Sequence, residues 1–304
     1  MRLSVVIVNY NTGGYLGACL ASITQKFSGT EYEVIVVDNA SSDGSADAAG
    51  GIPRTRLIKS GDNIGFGRAC NLGARETTGK NILFLNPDTK ILSNNIEALL
   101  DGFEADEKVS ALGCRNRLPD GSMQPSAYSF PTLPQAAVFV FRLQRVLMSA
   151  PAMRLLTPFL KSRVGQYADH SERRKVDWVT GAFMLVKREQ WERLEGFDEQ
   201  FFLFCEEIDF CKRISQSGGE VWFEPSFEME HYVGYSSDRV KPLVLLEKSR
   251  SYVLYFKKHH SGLKSTGLRL MLGFGVRLWM AFYSLMGDHE SYESYADVKR
   301  ELGL

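Results

Sequence analysis

The chain has 304 residues, enough for one large α/β domain with an appendage. Lys plus Arg and Asp plus Glu both total 36, so the formal net charge is zero and a broad electrostatic nucleic-acid footprint is not expected. The five cysteines, Cys19, Cys70, Cys114, Cys205 and Cys211, form no CxxC pair, and their odd number reads as reduced thiols in a cytosolic setting.

The chain opens on Val5-Val6-Ile7-Val8 ending at Asn9-Tyr10-Asn11, a run too short for a signal peptide and suited to a buried strand. No uninterrupted apolar stretch reaches the ~18 residues of a membrane span, so the catalytic part is expected to stay where it is made. Strands are expected at Leu3–Asn9, Tyr32–Asp38, Thr55–Lys59, Asn81–Leu85 and Val109–Gly113. Helices are expected near Gly14–Gln25, Ser45–Ala49, Gly65–Thr77 and Asn94–Asp106. Continuous Val/Ile/Leu strands need cover on both faces, which predicts a mostly parallel sheet flanked by helices. Ligands of such sheets bind at the carboxyl ends of the strands, where Asn9, Asp38, Ser60 to Asn63 and Asn86 to Asp88 all fall.

From about Arg115 to Lys175 the pattern loosens around six prolines, Pro119 to Pro158, with a helical patch at Gln135–Met148; it reads as an acceptor-side lid or a plain surface excursion. Order returns with a strand-like Val176–Lys187 holding Thr180-Gly181, a short helix at Arg188–Leu194, and the aromatic run Phe201-Phe202-Leu203-Phe204. Glu206-Glu207-Ile208-Asp209 then opens a helix, and a strand follows at Glu220–Phe223. Residues 1–255 are read as the catalytic domain, with a nucleotide-sugar half at 1–115 and an acceptor half at 176–255, followed by a helical segment at 256–304.

Asn86-Pro87-Asp88 ends a strand, because Pro87 cannot donate to a ladder, and leaves Asp88 in the crevice as a ligand for a hard cation or as a turn cap. Val34 to Ser45 delivers Asp38 to the same edge for a nucleoside, while Ser42 and Asp43 suit capping. Gly65-Phe66-Gly67-Arg68 lacks the third glycine of a dinucleotide fingerprint and follows the third strand, although Arg68 and Asn71 could face a ligand. At 100° per residue Glu206 and Asp209 share a helix face and Glu207 points off it, which gives the carboxylates different environments. Asp209 also stands four residues before Arg213, the spacing of a surface ion pair. His231 follows a strand, as a ligand or a structural residue.

Together these segments resemble glycosyltransferase family 2, in its bacterial rhamnosyltransferase-like subgroup. The resemblance rests on Ser4 to Asn11, Val36 to Gly44, Asn63 to Phe66, Asn86-Pro87-Asp88, Val179-Thr180-Gly181-Ala182, Phe201-Phe202, Glu206 to Asp209, and His231 with Gly234 and Ser236. It implies a GT-A fold, an inverting and metal-dependent (Mg2+ or Mn2+) hexosyltransferase, and a nucleotide-diphosphate sugar donor. By the same resemblance Asp38 contacts the nucleoside, Asp88 and His231 hold the metal, and Asn9, Asn63, Gly65, Arg68, Asn86 and Gly181 line the donor. Glu207 aligns with the catalytic base, and Glu206 remains the alternative. Asn86 stands where the family has a first carboxylate, and Glu207 where Asp is more common. The subgroup suggests dTDP-L-rhamnose, then UDP-hexoses or galactofuranose, and a saccharide or polyprenyl-linked acceptor. It implies a cytoplasmic enzyme at the inner face of the plasma membrane.

The tail at Leu268 to Met286 has helical periodicity, with Arg269, Gly273, Arg277 and Ser284 within an arc of about 80°. Such a helix suits a membrane interface, the core, or another copy of the chain. A nucleotidyltransferase or dehydrogenase would carry glycines in the first turn after a strand, where this chain has Asn9 to Gly14. A non-catalytic carbohydrate-binding protein is the other rival, against which Asp38, Asp88, Glu207 and His231 stand together.

Overall fold

The structure, a computed structural model, describes residues 1–142, 170–232 and 241–304. Part of the helical patch expected at Gln135–Met148, Pro151, Pro158, Gly234 and Ser236 lie outside the described residues. The chain forms two compact units. One comprises Met1–Ser129, Tyr167–Phe202 and Glu206–Ser236, and the other Phe130–Gln166, Leu203–Cys205 and Ser237–Leu304. The second unit thus takes in a stretch before residue 176 as well as helix residues before 256.

The first unit is built on a mixed, mostly parallel sheet. Strands β1 (Leu3–Asn9), β2 (Tyr32–Asp38), β3 (Thr55–Lys59) and β4 (Asn81–Leu85) run parallel in the order β3-β2-β1-β4. Every residue of β1 and β4 is buried, as expected of strands covered on both faces. Helices α1 (Tyr15–Lys26), α2 (Phe66–Arg75) and α3 (Ile96–Ala105) flank the sheet. At Gly73 a Cβ would lie 2.6 Å from Val6 and 2.9 Å from Val37, so α2 packs against β1 and β2 at a distance only glycine permits.

Two expectations are corrected beyond β4. The segment expected as one strand over Val176–Lys187 is broken into β9 (Arg174–Val176), β10 (Trp178–Val179) and β11 (Phe183–Lys187), separated by a turn at Thr180–Ala182. Its pieces join different partners. β9 pairs with β12 (Glu220–His231), β10 with β8 (Ala127–Tyr128), and β11 lies antiparallel between β4 and β6 (Val109–Arg117). The strand expected at Glu220–Phe223 runs on to His231 through a register shift between Glu224 and Glu228. A bulge of this kind bends a strand and re-aims its end. The end of β12 then pairs antiparallel with β5 (Thr89–Ile91), His231 opposite Thr89.

The second unit is helical: α4 (Leu133–Val140), α7 (Lys241–His259), α8 (Gly262–Met286) and α9 (His289–Leu302), with α5 (Arg188–Arg193) and α6 (Glu206–Gln216) belonging to the first unit. Val276, Tyr295 and Val298 form its buried centre, packed by Leu245, Leu246, Trp279 and Tyr283. The Arg142 guanidinium lies 5.0 Å from the Trp279 ring and 5.6 Å from the Tyr295 ring. Asp288 caps α9 by accepting from Ser291 N at 3.0 Å.

Candidate active site

Three parallel strands end in a buried network of polar side chains. Asn9, fully buried at the end of β1, places Nδ2 at 3.0 Å from Asp38 Oδ1, 3.0 Å from Ser41 Oγ and 2.9 Å from Ser45 Oγ, while Thr12 Oγ1 donates to its Oδ1. Asn39 Nδ2 donates to Asn63 Oδ1 at 2.9 Å, and Asn39 Oδ1 accepts from Ile64 N at 3.0 Å. Asn63 Oδ1 also accepts from Gly65 N at 3.1 Å. Gly65 itself has φ +88°, and a Cβ there would lie 2.5 Å from Phe202 O. This glycine is required where the loop enters α2, whose first N–H, Phe66 N, donates to Phe202 O at 2.8 Å. Asp43 accepts from Ser45 N at 2.9 Å and from Gly13 N at 2.8 Å, although the N-cap of the short Ser45–Ala49 helix is Gly44 and not Asp43, and these bonds hold its carboxyl below the usual range.

A second group forms where β4 and β12 end. His231 Nε2 lies 3.3 Å from Asp88 Oδ1, with both side chains about nine-tenths buried. His231 Nδ1 faces Oε1 of Gln124, in the short strand β7 (Met123–Gln124) beside β6, at 3.0 Å, and Asn86 Nδ2 approaches Nε2 at 3.5 Å. An amide carbonyl only accepts, so Gln124 favours a proton on Nδ1, and a neutral ring of that tautomer presents Nε2 as a ligand atom beside the Asp88 carboxylate. Two electron-pair donors aimed at one space fit a cation between them, with Gln124 fixing the ring as outer-shell partners of metal histidines do. Among the described residues no cluster of three or more His, Cys, Asp or Glu could hold a metal. Mg2+ and similar hard cations bind in this way, through one or two protein groups and substrate phosphates. The sheet explains the meeting: Phe183 pairs with Leu85, which sets Ala182 O to accept from Asn86 N at 3.1 Å, and Tyr232 N donates to Asp88 O at 2.9 Å.

The acidic run at the start of α6 is divided as its helical phase predicts. Glu206 is 4% exposed and Asp209 fully buried, whereas Glu207 is half-buried. The pairing of Asp209 with Arg213 Nε at 2.7 Å is real, but it is buried and not at the surface, because Arg213 also donates to Leu194 O and Gly196 O. Burial first, and then the charge on Glu207, pushes the Glu206 carboxyl well above the usual carboxylate range. Its Oε2 is buried without a hydrogen-bond partner among the described residues. Burial and the charge on Glu207 also raise the Tyr128 hydroxyl, so Tyr128 belongs to this neighbourhood. Tyr128 stacks on Trp178 with ring centroids 4.6 Å apart. Glu206 touches the cradle side as well: a Cβ at Gly67 of α2 would lie 3.5 Å from Glu206 Cβ.

Two residues expected near the ligand are engaged by other protein groups. Arg68 Nε donates to Glu199 O at 3.1 Å and pairs at 3.8 Å with its carboxylate, both side chains about half exposed. Asn71 is buried and clamps the main chain of Phe197, donating to its O at 2.9 Å and accepting from its N at 3.0 Å. Asn9 is enclosed by protein groups and positions Asp38. Gly181 has room for a Cβ, the nearest atom being Phe66 Cε1 at 3.6 Å, so packing does not demand glycine there. Gln124 and Tyr128 were missed because they lie in the irregular stretch after Arg115; an isolated polar-aromatic strand pair between prolines was the only signal. A cavity of about 310 Å³ lined by Phe139, Arg142, Lys248 and Tyr295 lies in the second unit and holds none of the predicted site residues.

This sheet and strand-end arrangement is that of GT-A glycosyltransferases. The profile described as Glycosyl transferase family 2 matches residues 4–158. The chain is 30% identical over 287 residues, 89% of each chain, to an N-acetylglucosaminyl-diphospho-decaprenol L-rhamnosyltransferase of Mycobacterium tuberculosis. It is 25% identical over 240 residues to the rhamnosyltransferase WbbL of Escherichia coli, covering 77% of this chain and 84% of that one. A Pyrobaculum calidifontis mannosyltransferase solved with GDP-Man and Mn2+ shares the fold, with TM-score 0.57 and 17% identity over 99% of this chain and 75% of that one. The chain belongs to glycosyltransferase family 2, and it is a sugar-transferring enzyme.

Proposed function

We propose that the enzyme transfers L-rhamnose, with inversion, from dTDP-L-rhamnose to a polyprenyl-diphosphate-linked saccharide at the cytoplasmic face of the membrane, in cell-surface polysaccharide synthesis. The observation that carries the chemistry is the 3.3 Å approach of His231 Nε2 to Asp88 Oδ1, a pair of ligand types suited to a cation that also binds the donor diphosphate. The rhamnosyl group follows the names of both rhamnosyltransferase relatives, and the lipid-linked acceptor the name of the Mycobacterium tuberculosis one.

Asp38, held by Asn9, receives the nucleoside, and Asn63, Gly65, Asn86 and Gly181 shape the donor side. Asp88 and His231 hold Mg2+ or Mn2+, which supplies Lewis-acid stabilisation of the departing diphosphate. Glu207 takes the proton from the acceptor hydroxyl as that oxygen forms its bond to the anomeric carbon and the bond to the diphosphate oxygen breaks. Burial and the charge of Glu207 drive Glu206 toward its neutral form, which favours Glu207 over Glu206 as the base. The test is release of nucleoside diphosphate from a panel of nucleotide sugars, with a synthetic polyprenyl-diphosphate-linked N-acetylglucosamine as acceptor, with and without EDTA. Metal-dependent, acceptor-dependent release of dTDP from dTDP-L-rhamnose is expected. Faster release of UDP from a UDP-hexose would replace the donor, and EDTA-resistant turnover would remove the metal.

A further inference from the structure

We infer that the exposed face of α8 is a docking surface for an anionic lipid bilayer, on which the enzyme lies without crossing it. Leu263, Leu270, Phe274, Leu278, Phe282 and Leu285 all stand exposed on this helix, Leu263 at 85% and Leu285 at 89%. Wound at 100° per residue they fall within an arc of about 120°. A stripe this long on a water-facing helix marks an interaction surface.

Charge identifies the partner. The whole chain is neutral, yet no Asp or Glu occurs from Lys248 to Gly287, a stretch with seven Lys and Arg. The same holds from Phe130 to Ala168, with five Lys and Arg. Within α8, Lys264 flanks the stripe on one side and Arg277 on the other. Arg269 and Arg277 donate only to main-chain carbonyls, of Leu302 at 2.8 Å and Gly273 at 2.9 Å, so their charge meets no carboxylate among the described residues. An apolar stripe edged by cations is complementary to an anionic headgroup layer over acyl chains. A second copy of the chain fits less well, because a two-fold contact through this face would set cations against cations.

The helix is long and apolar enough by length and composition to cross a bilayer. Its other face is committed, however: Leu268, Leu272, Gly275 and Val276 are buried within the second unit, with Gly275 set against Val140 of α4. A spanning helix would have to strip that packing and carry Lys264, Arg269 and Arg277 into hydrocarbon. Lying in the interface keeps both faces satisfied.

The test is cosedimentation of the full chain with phosphatidylglycerol–phosphatidylcholine vesicles, read without any substrate, so it stands apart from the choice of donor. The wild type is expected to pellet with these vesicles and to bind phosphatidylcholine alone roughly tenfold less. Leu270→Ser, Phe274→Ser and Leu285→Ser together should cut partitioning roughly tenfold or more. Lys264→Glu with Arg277→Glu should do so only on anionic vesicles. Each altered side chain is exposed, and an unchanged thermal midpoint confirms folding. Wild type left in the supernatant with anionic vesicles, or undiminished binding by the triple-serine protein, overturns the inference. So does light scattering that shows a wild-type dimer, split by the serine substitutions, with no partition to vesicles.

Discussion

The strand-end cradle and the start of α6 treat buried polar groups in opposite ways. Around Asn9, Asp38, Asn39 and Asn63 the side-chain amides and hydroxyls are matched to one another within the protein. At α6 the Glu206 carboxyl is buried with no partner for Oε2 among the described residues and is driven toward its neutral form by burial and by Glu207. A satisfied network is rigid and suits recognition of a fixed nucleoside, whereas a carboxylate poised among raised groups suits proton transfer.

The largest effect is expected on the reactive side. Glu207→Gln should lower transfer by roughly 10²–10⁴-fold while calorimetry shows donor binding unchanged. Near-normal turnover would erase the functional contrast between the two regions. Next comes the metal pair. Asp88→Ala should abolish the metal-dependent part of donor binding, and Gln124→Leu should weaken Mn2+ affinity by about 10–100-fold, read by titration in the absence of acceptor. A Gln124→Leu protein with native Mn2+ affinity would show that the ring is held by other means.

Asn9→Ala tests the cradle. It strips the amide shared by Asp38, Ser41 and Ser45, and should cost about 1–3 kcal/mol in denaturant unfolding together with weaker donor binding. Loss of stability alone would make the cradle a structural device only. The smallest effect is a pH dependence. A carboxyl held above its usual range keeps a proton that the unfolded chain has already lost. Wild-type stability should therefore fall as pH rises from the ordinary carboxylate value toward the raised one, by at most about 1.4 kcal/mol per pH unit. Glu206→Gln should remove that slope, and parallel wild-type and variant stability profiles would show Glu206 to be ionised.

Much of the first half was legible. β1 to β4 begin and end where apolar runs and strand-end polar residues place them, and Asp38 and Asp88 stand at the expected edge. The helical phase of Glu206, Glu207 and Asp209 was likewise readable, since a period of 3.6 decides which of three neighbours turns inward. Legibility failed where partners are distant in sequence. Nothing local to Arg68 announces its partner Glu199, and Val176–Lys187 looked continuous because its three pieces are separated by their partners and not by their own composition.

Local periodicity and turn chemistry thus determined from sequence alone the α/β class, the parallel first half, and which carboxylates reach strand or helix ends. Only the tertiary structure decided that β12 bends through a bulge to bring His231 against Asp88, that Gln124 from an irregular stretch orients that ring, and that α8 leaves one apolar face outward. The reason is physical: strand pairing and helix packing join residues more than a hundred positions apart, and no window along the chain contains both partners.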